Sequence, residues 1–214
     1  MKIANYFLQG VVDHSGLPQW LVEQSGMESG EGPENDLLIL WINSPGGDVL
    51  AAIESINLIK ASPVPVVTII NGAAESAGLL ISSSGHYRLV FERSFGMAHH
   101  FSTGAEGSYH ELQDSMKHNG LVHDIMVSLF KENSSATTDI IDDKFLGRKN
   151  TYMSAKELVK YGLADEVVKP GPKFQRRIQA YGNSKKASKE IKAKKHLRRK
   201  GDRALTDSGS EVSV

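Results

Sequence analysis

Long apolar runs alternate with stretches of helical spacing along this chain. Residues 37–42 and 64–70 are almost continuously apolar and are bounded by turn residues, which is the pattern of strands buried on both faces. Shorter stretches of similar character predict four more strands, at 5–12, 87–91, 95–99 and 163–168.

Helical spacing predicts crossover segments between these strands. Val49, Ile53 and Ile56 fall on one helix face, and residues 76–83 are small and apolar, which suits a tightly packed helix. A long helix is predicted over 107–131, and its inner side is expected to carry Leu112, Met116, Val122, Ile125, Met126 and Leu129. Strands that alternate with helices favour an α/β fold whose parallel strands are joined by crossovers.

Two shorter helices have recognisable ends. Pro18 is tolerated in the first turn of a helix at 17–24. Ser154 and Glu157 have the spacing of a capping box, and Gly162 is placed to end the helix that follows.

Composition and charge divide the chain into an acidic body and a basic end. Residues 171–214 contain 13 Lys and Arg against 4 Asp and Glu, whereas residues 1–170 contain 12 against 21. Pro170, Gly171 and Pro172 mark the boundary, so we expect a domain over 1–170 and a disordered basic tail over 171–214 that is helical around 187–199 only when bound.

Several functional classes are excluded by the same numbers. The chain has no cysteine, which excludes disulfides and cysteine nucleophiles and is compatible with a reducing compartment. No signal peptide opens the chain and no apolar run is long enough to span a membrane, so we expect a cytosolic protein without a membrane partner.

Candidate chemistry centres on Ser76, which stands among small residues that let a substrate backbone approach. A serine hydroxyl needs a neighbouring base, and His99 at the end of a predicted strand would supply it. Acyl transfer also needs donors for the oxyanion, for which the N–H groups of Gly47 and Ala77 are placed. Each feature alone is more often structural; their order and spacing together favour a serine peptidase.

Five motifs in sequence order make this pattern specific. They are Phe-Leu-Gln-Gly at 7–10, Ile-Asn-Ser-Pro-Gly-Gly at 42–47, Gly-Ala-Ala-Glu-Ser-Ala-Gly at 72–78, Met-Ala-His at 97–99, and the segment from Tyr-Met-Ser-Ala-Lys-Glu at 152–157 to Tyr-Gly-Leu-Ala-Asp at 161–165. Over about residues 5–169 the chain resembles the proteolytic subunit of Clp protease.

That resemblance implies the ClpP/crotonase fold of repeated ββα units and a Ser-His-Asp triad without metal or cofactor. It implies Ser76 as nucleophile, His99 as base, and Gly47 with Ala77 as the oxyanion hole. The Gly-rich edge from Gly104 to Gly107 resembles the family's substrate-binding strand, which would bind extended peptide by strand addition. Residues 107–131 correspond to the helix through which the family's homo-oligomeric rings stack.

The third triad member is open from the sequence. An ungapped alignment places Leu146 there, whereas a small insertion before Ser154 would place Asp143, our first choice, with Asp142 second and Asn150 as a further alternative. A competing base, His100, follows His99 directly, but successive strand residues face opposite sides. Four further histidines, His86, His110, His118 and His123, are expected to be solvated or structural.

Two departures from the housekeeping enzyme point towards the head-maturation (prohead) proteases of tailed bacteriophages, which resemble it in their core. The chain starts almost at the Phe-Leu-Gln-Gly strand, which counts against docking to an ATPase, and it carries the basic tail. Such an enzyme cuts capsid and scaffold proteins in the host cytoplasm, inside the assembling virion, and its tail would bind acidic scaffold or nucleic acid.

Three alternatives remain from the sequence. The first is a general ATP-dependent Clp-type degradative subunit, and the second is a catalytically silent scaffold subunit. The third is an acyl-CoA hydratase of the crotonase type, which shares the fold but has no reason to place a histidine opposite a serine.

Overall fold

Seven strands form one sheet, in which β1-β2-β3-β4-β7 are neighbours in that order and β5 and β6 extend it beside β3. The computed structural model describes residues 1–28 and 32–184. The strands are β1 (Ile3–Val12), β2 (Leu37–Gly47), β3 (Val66–Glu75), β4 (Tyr87–Phe91), β5 (Phe95–Ala98), β6 (Thr151–Ser154) and β7 (Glu166–Val168).

Helices connect the strands and cover both faces of the sheet. They are α1 (Leu17–Ser25), α2 (Val49–Ala61), α3 (Ala77–Ser83), α4 (Tyr109–Asn133), α5 (Thr138–Ile140), α6 (Ala155–Lys160) and α7 (Pro172–Asn183), with a π-helical turn at Ile141–Phe145. The pairs from β1 to β7 along the main path are parallel, so the predicted α/β class and its crossover connections are confirmed.

Sheet register brings three strand ends together. β3 changes its partner part-way along: it pairs with β4 up to Ile70 and with β5 from Ala73 to Glu75. β2 is displaced by a register shift between Ile42 and Ser44. As a result the carboxyl ends of β2, β3 and β5 converge at one edge, where a functional site in a parallel sheet is expected.

Local signals at the predicted helix ends are confirmed. The Ser154 hydroxyl accepts from the N–H of Glu157, while the Glu157 carboxylate accepts from the Ser154 N–H at 2.9 Å. Gly162 adopts φ +72° after α6, a conformation that glycine tolerates without a steric penalty.

Residues 172–183, which were expected to belong to a disordered tail, form α7 in the structure. Phe174 and Ile178 are buried against the second face of the sheet, in a cluster that includes Leu37, Ile39 and Val67. The basic character of the segment concealed this apolar stripe, whose members are four residues apart and therefore share a helix face. Residues 185–214, including the segment 187–199 that was expected to fold on binding, lie outside the described residues.

The prediction for the inner side of α4 is wrong for half of its residues. Val122, Met126 and Leu129 are buried, but the side chains of Leu112, Met116 and Ile125 are 38%, 75% and 40% exposed. The first half of α4 therefore presents an apolar surface instead of packing on the sheet. None of the helices among residues 1–28 and 32–184 is long and apolar enough to cross a bilayer.

Arg88 on β4 forms hydrogen bonds with carbonyl groups at the carboxyl ends of two helices. Its guanidinium donates to Asp165 at 2.5 Å, to the carbonyl of Asn133 at 2.6 Å and to that of Gly162 at 2.7 Å. Cations are favourable at helix carboxyl ends, where carbonyl groups lack intrahelical partners.

We expect Arg88→Met to lower the free energy of unfolding by about 3 kcal/mol, because it leaves Asp165 and two carbonyl groups without their cationic donor. Urea unfolding measures the change. Arg93→Met is the control, since Arg93 is exposed and its side chain forms no hydrogen bond or ion pair with the described residues. Equal stability of the two variants would contradict this role for Arg88.

Candidate active site

Ser76 occupies the turn between β3 and α3 in a strained backbone conformation. Its φ is +51° and its ψ is −119°, and it is the one residue other than glycine with positive φ in the described part of the chain. The Ser76 N–H donates to Met97 at 2.8 Å, and its carbonyl accepts from the N–H of Leu79 at 3.0 Å. Strain of this kind, held by surrounding structure, is typical of active sites and of nucleophile turns between a strand and a helix.

His99 lies directly after β5, and its side chain faces Ser76. The distance from His99 Nε2 to Ser76 Oγ is 2.8 Å, and both residues are half-buried. A hydroxyl at hydrogen-bond distance from an imidazole nitrogen is the arrangement that a serine nucleophile and its base require. The two residues are brought together from positions separated by 23 in the sequence because β3 and β5 are paired.

The end of β2 lies against the serine turn. Ser44 donates through Oγ to the carbonyl of Gly10 at 2.6 Å and accepts from the N–H of Gly46 at 3.1 Å, which fixes the glycine pair. A Cβ on Gly46 would stand 2.8 Å from the Cβ of Ser76 and 2.7 Å from the carbonyl oxygen of Glu75. The sequence motif contained Ser44 and Gly46, but only the packing assigns them these contacts.

The two predicted oxyanion donors, Gly47 and Ala77, each directly follow one of the two residues in contact, Gly46 and Ser76. Gly47 follows Gly46 at the end of β2, and Ala77 is the first residue of α3. The N–H of a first helical residue has no acceptor within its own helix. The Gly46 N–H is already taken by Ser44, so Gly46 is not an alternative donor.

We expect Gly46→Ala to lower the rate of peptide hydrolysis at least about 100-fold. The new methyl group would stand 2.8 Å from the Cβ of Ser76 and must displace it, and a displacement of about 1 Å in a catalytic group costs about 100-fold in rate. The φ of +95° at Gly46 adds backbone strain. Gly120→Ala is the matched control, since a Cβ there meets no atom within 4 Å. Initial rates on an unfolded protein substrate measure both, and equal rates would contradict the close packing of Gly46 on Ser76.

The residues considered for the third triad position do not meet His99 in this structure. Asp142 and Asp143 are exposed in the π-helical turn, Asn150 is exposed before β6, and Leu146 is buried in the core. Among the described residues, no carboxylate forms a hydrogen bond or ion pair with His99, whose side chain bonds to Ser76. Asp143 therefore stays a prediction.

His100 turns away from Ser76 and contacts α4. Its Nε2 lies 3.1 Å from Nδ1 of His123. Sequence reasoning missed this pair, because the two residues are 23 positions apart and no local pattern connects them. His86 is buried and accepts from the N–H of Val66 at 3.0 Å. His110 and His118 are exposed on α4. Within residues 1–28 and 32–184, no three metal-ligating side chains form a cluster that would hold an ion.

The glycine edge predicted to bind substrate lies in an exposed loop between β5 and α4. A Cβ on Gly104 would meet no atom within 4 Å, and Gly107 has a φ of +144° just before α4 begins. The Ser108 hydroxyl caps that helix and contacts Glu111 at 2.7 Å. The loop is therefore exposed, and its role in binding substrate stays a prediction.

Comparison with known proteins agrees with the resemblance that the sequence motifs indicated. A sequence profile of the Clp protease family matches residues 21–171, a range that contains both Ser76 and His99 and ends before α7. The ATP-dependent Clp protease proteolytic subunit of Deinococcus radiodurans is 29% identical over 163 residues, which cover 74% of this chain and 78% of that protein.

Proposed function

The chain belongs to the Clp protease family, and on that premise we propose that it is a serine endopeptidase with Ser76 as nucleophile and His99 as general base. The observation that carries the proposal is the 2.8 Å separation between Ser76 Oγ and His99 Nε2. The positive φ of Ser76 supports it, because a serine that served only for packing would have no need of a strained backbone.

The proposed reaction proceeds through an acyl-enzyme. Ser76 Oγ attacks the carbonyl carbon of the substrate while its proton passes to His99 Nε2. The oxyanion accepts from the N–H groups of Gly47 and Ala77. His99 then donates the proton to the leaving amine, and a water molecule, deprotonated by the same nitrogen, releases the acyl group and regenerates Ser76.

A third member would hold the tautomer of His99 and stabilise the imidazolium. Asp143 is our proposal for this role, ahead of Asp142 and Asn150. Because its carboxylate makes no contact with His99 here, the π-helical turn Ile141–Phe145 must change conformation to bring the two together. Asp143→Ala is then expected to slow hydrolysis less than loss of Ser76 or His99; an effect confined to Asp142→Ala would move the assignment by one residue.

Two exposed surfaces support a proposal for the substrate and the assembly. An extended polypeptide would pair with the loop from Gly104 to Gly107 through its backbone, which gives loose sequence preference. Clp proteases act as oligomeric rings, and the exposed apolar side chains in the first half of α4 favour stacking of rings through this helix. They are Tyr109, Leu112, Met116 and Leu121.

Within this activity we propose capsid maturation of a tailed bacteriophage as the biological role. The observation that favours it is the basic sequence of residues 185–214, with 10 Lys and Arg against 4 Asp and Glu. Such a segment suits attachment to acidic scaffold protein or to nucleic acid in an assembling particle. General ATP-dependent degradation is the second candidate, favoured by the description of the Deinococcus radiodurans relative.

Two substrates separate these roles. The peptidase proposal predicts fragments of unfolded β-casein without ATP, and none with Ser76→Ala. Casein that stays intact in the presence of the assembled enzyme would contradict it.

The capsid proposal predicts that the enzyme cuts scaffold protein during particle assembly. It also predicts that a chain ending at Ser184 retains casein hydrolysis but is incorporated poorly. Normal incorporation of that shortened chain would contradict the role of the basic segment.

A further inference from the structure

The segment that carries His99 leaves the sheet just before it reaches the site. The antiparallel pairing of β5 with β6 ends at Ala98, which faces Thr151. His99 and His100 therefore lie beyond the last ladder pair and need another support. Orientation of a catalytic base within a fraction of an ångström decides its efficiency, so the source of that support affects the rate.

His100 supplies a contact with a defined direction. Its Nδ1 lies 3.1 Å from the carbonyl oxygen of Phe101, and a carbonyl can only accept, so this nitrogen carries the proton. In a neutral imidazole Nε2 is then an acceptor. His123 Nδ1, 3.1 Å away, must therefore donate to it.

The ring geometry supports a hydrogen bond between the two histidines. The ring centroids are 5.1 Å apart and the ring planes differ by 20°. With nitrogen atoms 3.1 Å apart, these values place the rings largely edge to edge, so that the two nitrogens point towards each other. A shared metal ion is not favoured, because the described residues bring no third ligand to the pair.

His123 is fixed by the helix that carries it. Its neighbour Val122 and the following turn residue Met126 are both 3% exposed and belong to the main core cluster. We infer that His123 is a positioning residue: through His100 it holds the backbone beside His99, so that His99 stays within reach of Ser76. This inference rests on the proposed peptidase function.

The test compares two replacements of His123 that have similar size. Leucine removes the donor, whereas the side-chain amide of asparagine offers an N–H close to the position of His123 Nδ1. Ser76 is titrated with a fluorophosphonate, which reports activation of the serine as kinact and probe binding as KI. Thermal unfolding is recorded for each variant.

We expect His123→Leu to lower kinact roughly 10- to 100-fold with KI within about twofold of the wild type, and His123→Asn to recover most of that loss. The control is His118→Leu, an exposed residue of the same helix, which should label at the wild-type rate. Wild-type kinact in His123→Leu would overturn the inference. Equal losses in the leucine and asparagine variants, together with lower unfolding temperatures, would also overturn it in favour of a structural role. The two failures are distinguishable. If Ser76 of the wild type does not react, the peptidase function is contradicted. If Ser76 reacts equally fast in the wild type and in His123→Leu, only the role of His123 is contradicted.

Discussion

Replacement of Ser76 by alanine is expected to lower hydrolysis of unfolded polypeptide by about 10,000-fold or more, because no other group in the site can form the acyl-enzyme. The fold should be retained, since the change removes one hydroxyl and leaves no cavity of consequence. Initial rates and urea unfolding on the same preparation separate the two effects.

Ser83→Ala is the matched control for this prediction. Ser83 lies on α3, is 2% exposed, and donates through Oγ to the carbonyl of Leu80 at 3.0 Å. The Ser83→Ala variant therefore loses a buried hydroxyl from the helix that follows Ser76, and this hydroxyl makes no hydrogen bond with His99. Hydrolysis should continue in Ser83→Ala. Residual activity in Ser76→Ala within about tenfold of the wild type, far above what a missing nucleophile permits, would exclude Ser76 as the nucleophile.

Replacement of His99 by alanine is expected to cause a loss of similar size, because the hydroxyl of Ser76 is a weak nucleophile when no base accepts its proton. Residues that act as a unit are not additive, so the double variant Ser76→Ala/His99→Ala should be no slower than either single variant. Hydrolysis of β-casein by the three proteins measures this directly.

His110→Ala provides the corresponding histidine control, because His110 is exposed on α4 and forms no hydrogen bond with Ser76 or His99 among the described residues. It should hydrolyse casein at the wild-type rate. Two outcomes would contradict the role of His99: a single variant that retains activity, or a double variant that is slower than both single variants by the product of their effects.

The central fold was predictable because its signals are local and strong. The buried strands β2 and β3 contain continuous apolar runs, and the capping box at Ser154 involves residues only three positions apart. The contact of Ser76 with His99 was accessible through motif order, since paired strands bring their carboxyl ends to the same edge.

Other features depend on tertiary partners that a sequence does not display. β6 has only four residues and is a strand because it pairs with β5. α7 is stabilised by Phe174 and Ile178 against an aromatic surface that includes Trp41 and Phe91, although its composition is that of a solvated basic segment. The first half of α4 carries apolar residues at helical spacing, which predict a buried face. In the structure these side chains are exposed, because no other element of the described chain covers them.

The site shows the same division. Motif order made Ser76 and His99 the candidates for nucleophile and base, but the sequence left the third position open between Asp143, Asp142 and Asn150, and none of the three bonds to His99 in the described part of the chain. It also gave no sign that His123 contacts the residue beside His99, since this contact depends on how α4 lies against the end of β5.

The measurement that tests the central claim most directly is the location, by mass spectrometry, of a fluorophosphonate adduct on the assembled wild-type protein, with His99→Ala beside it. An activated serine predicts one adduct, on Ser76, that is lost in His99→Ala. An adduct on another serine, or an unmodified Ser76 in the assembled wild type, would contradict the assignment of this chain as a serine peptidase that uses Ser76 and His99.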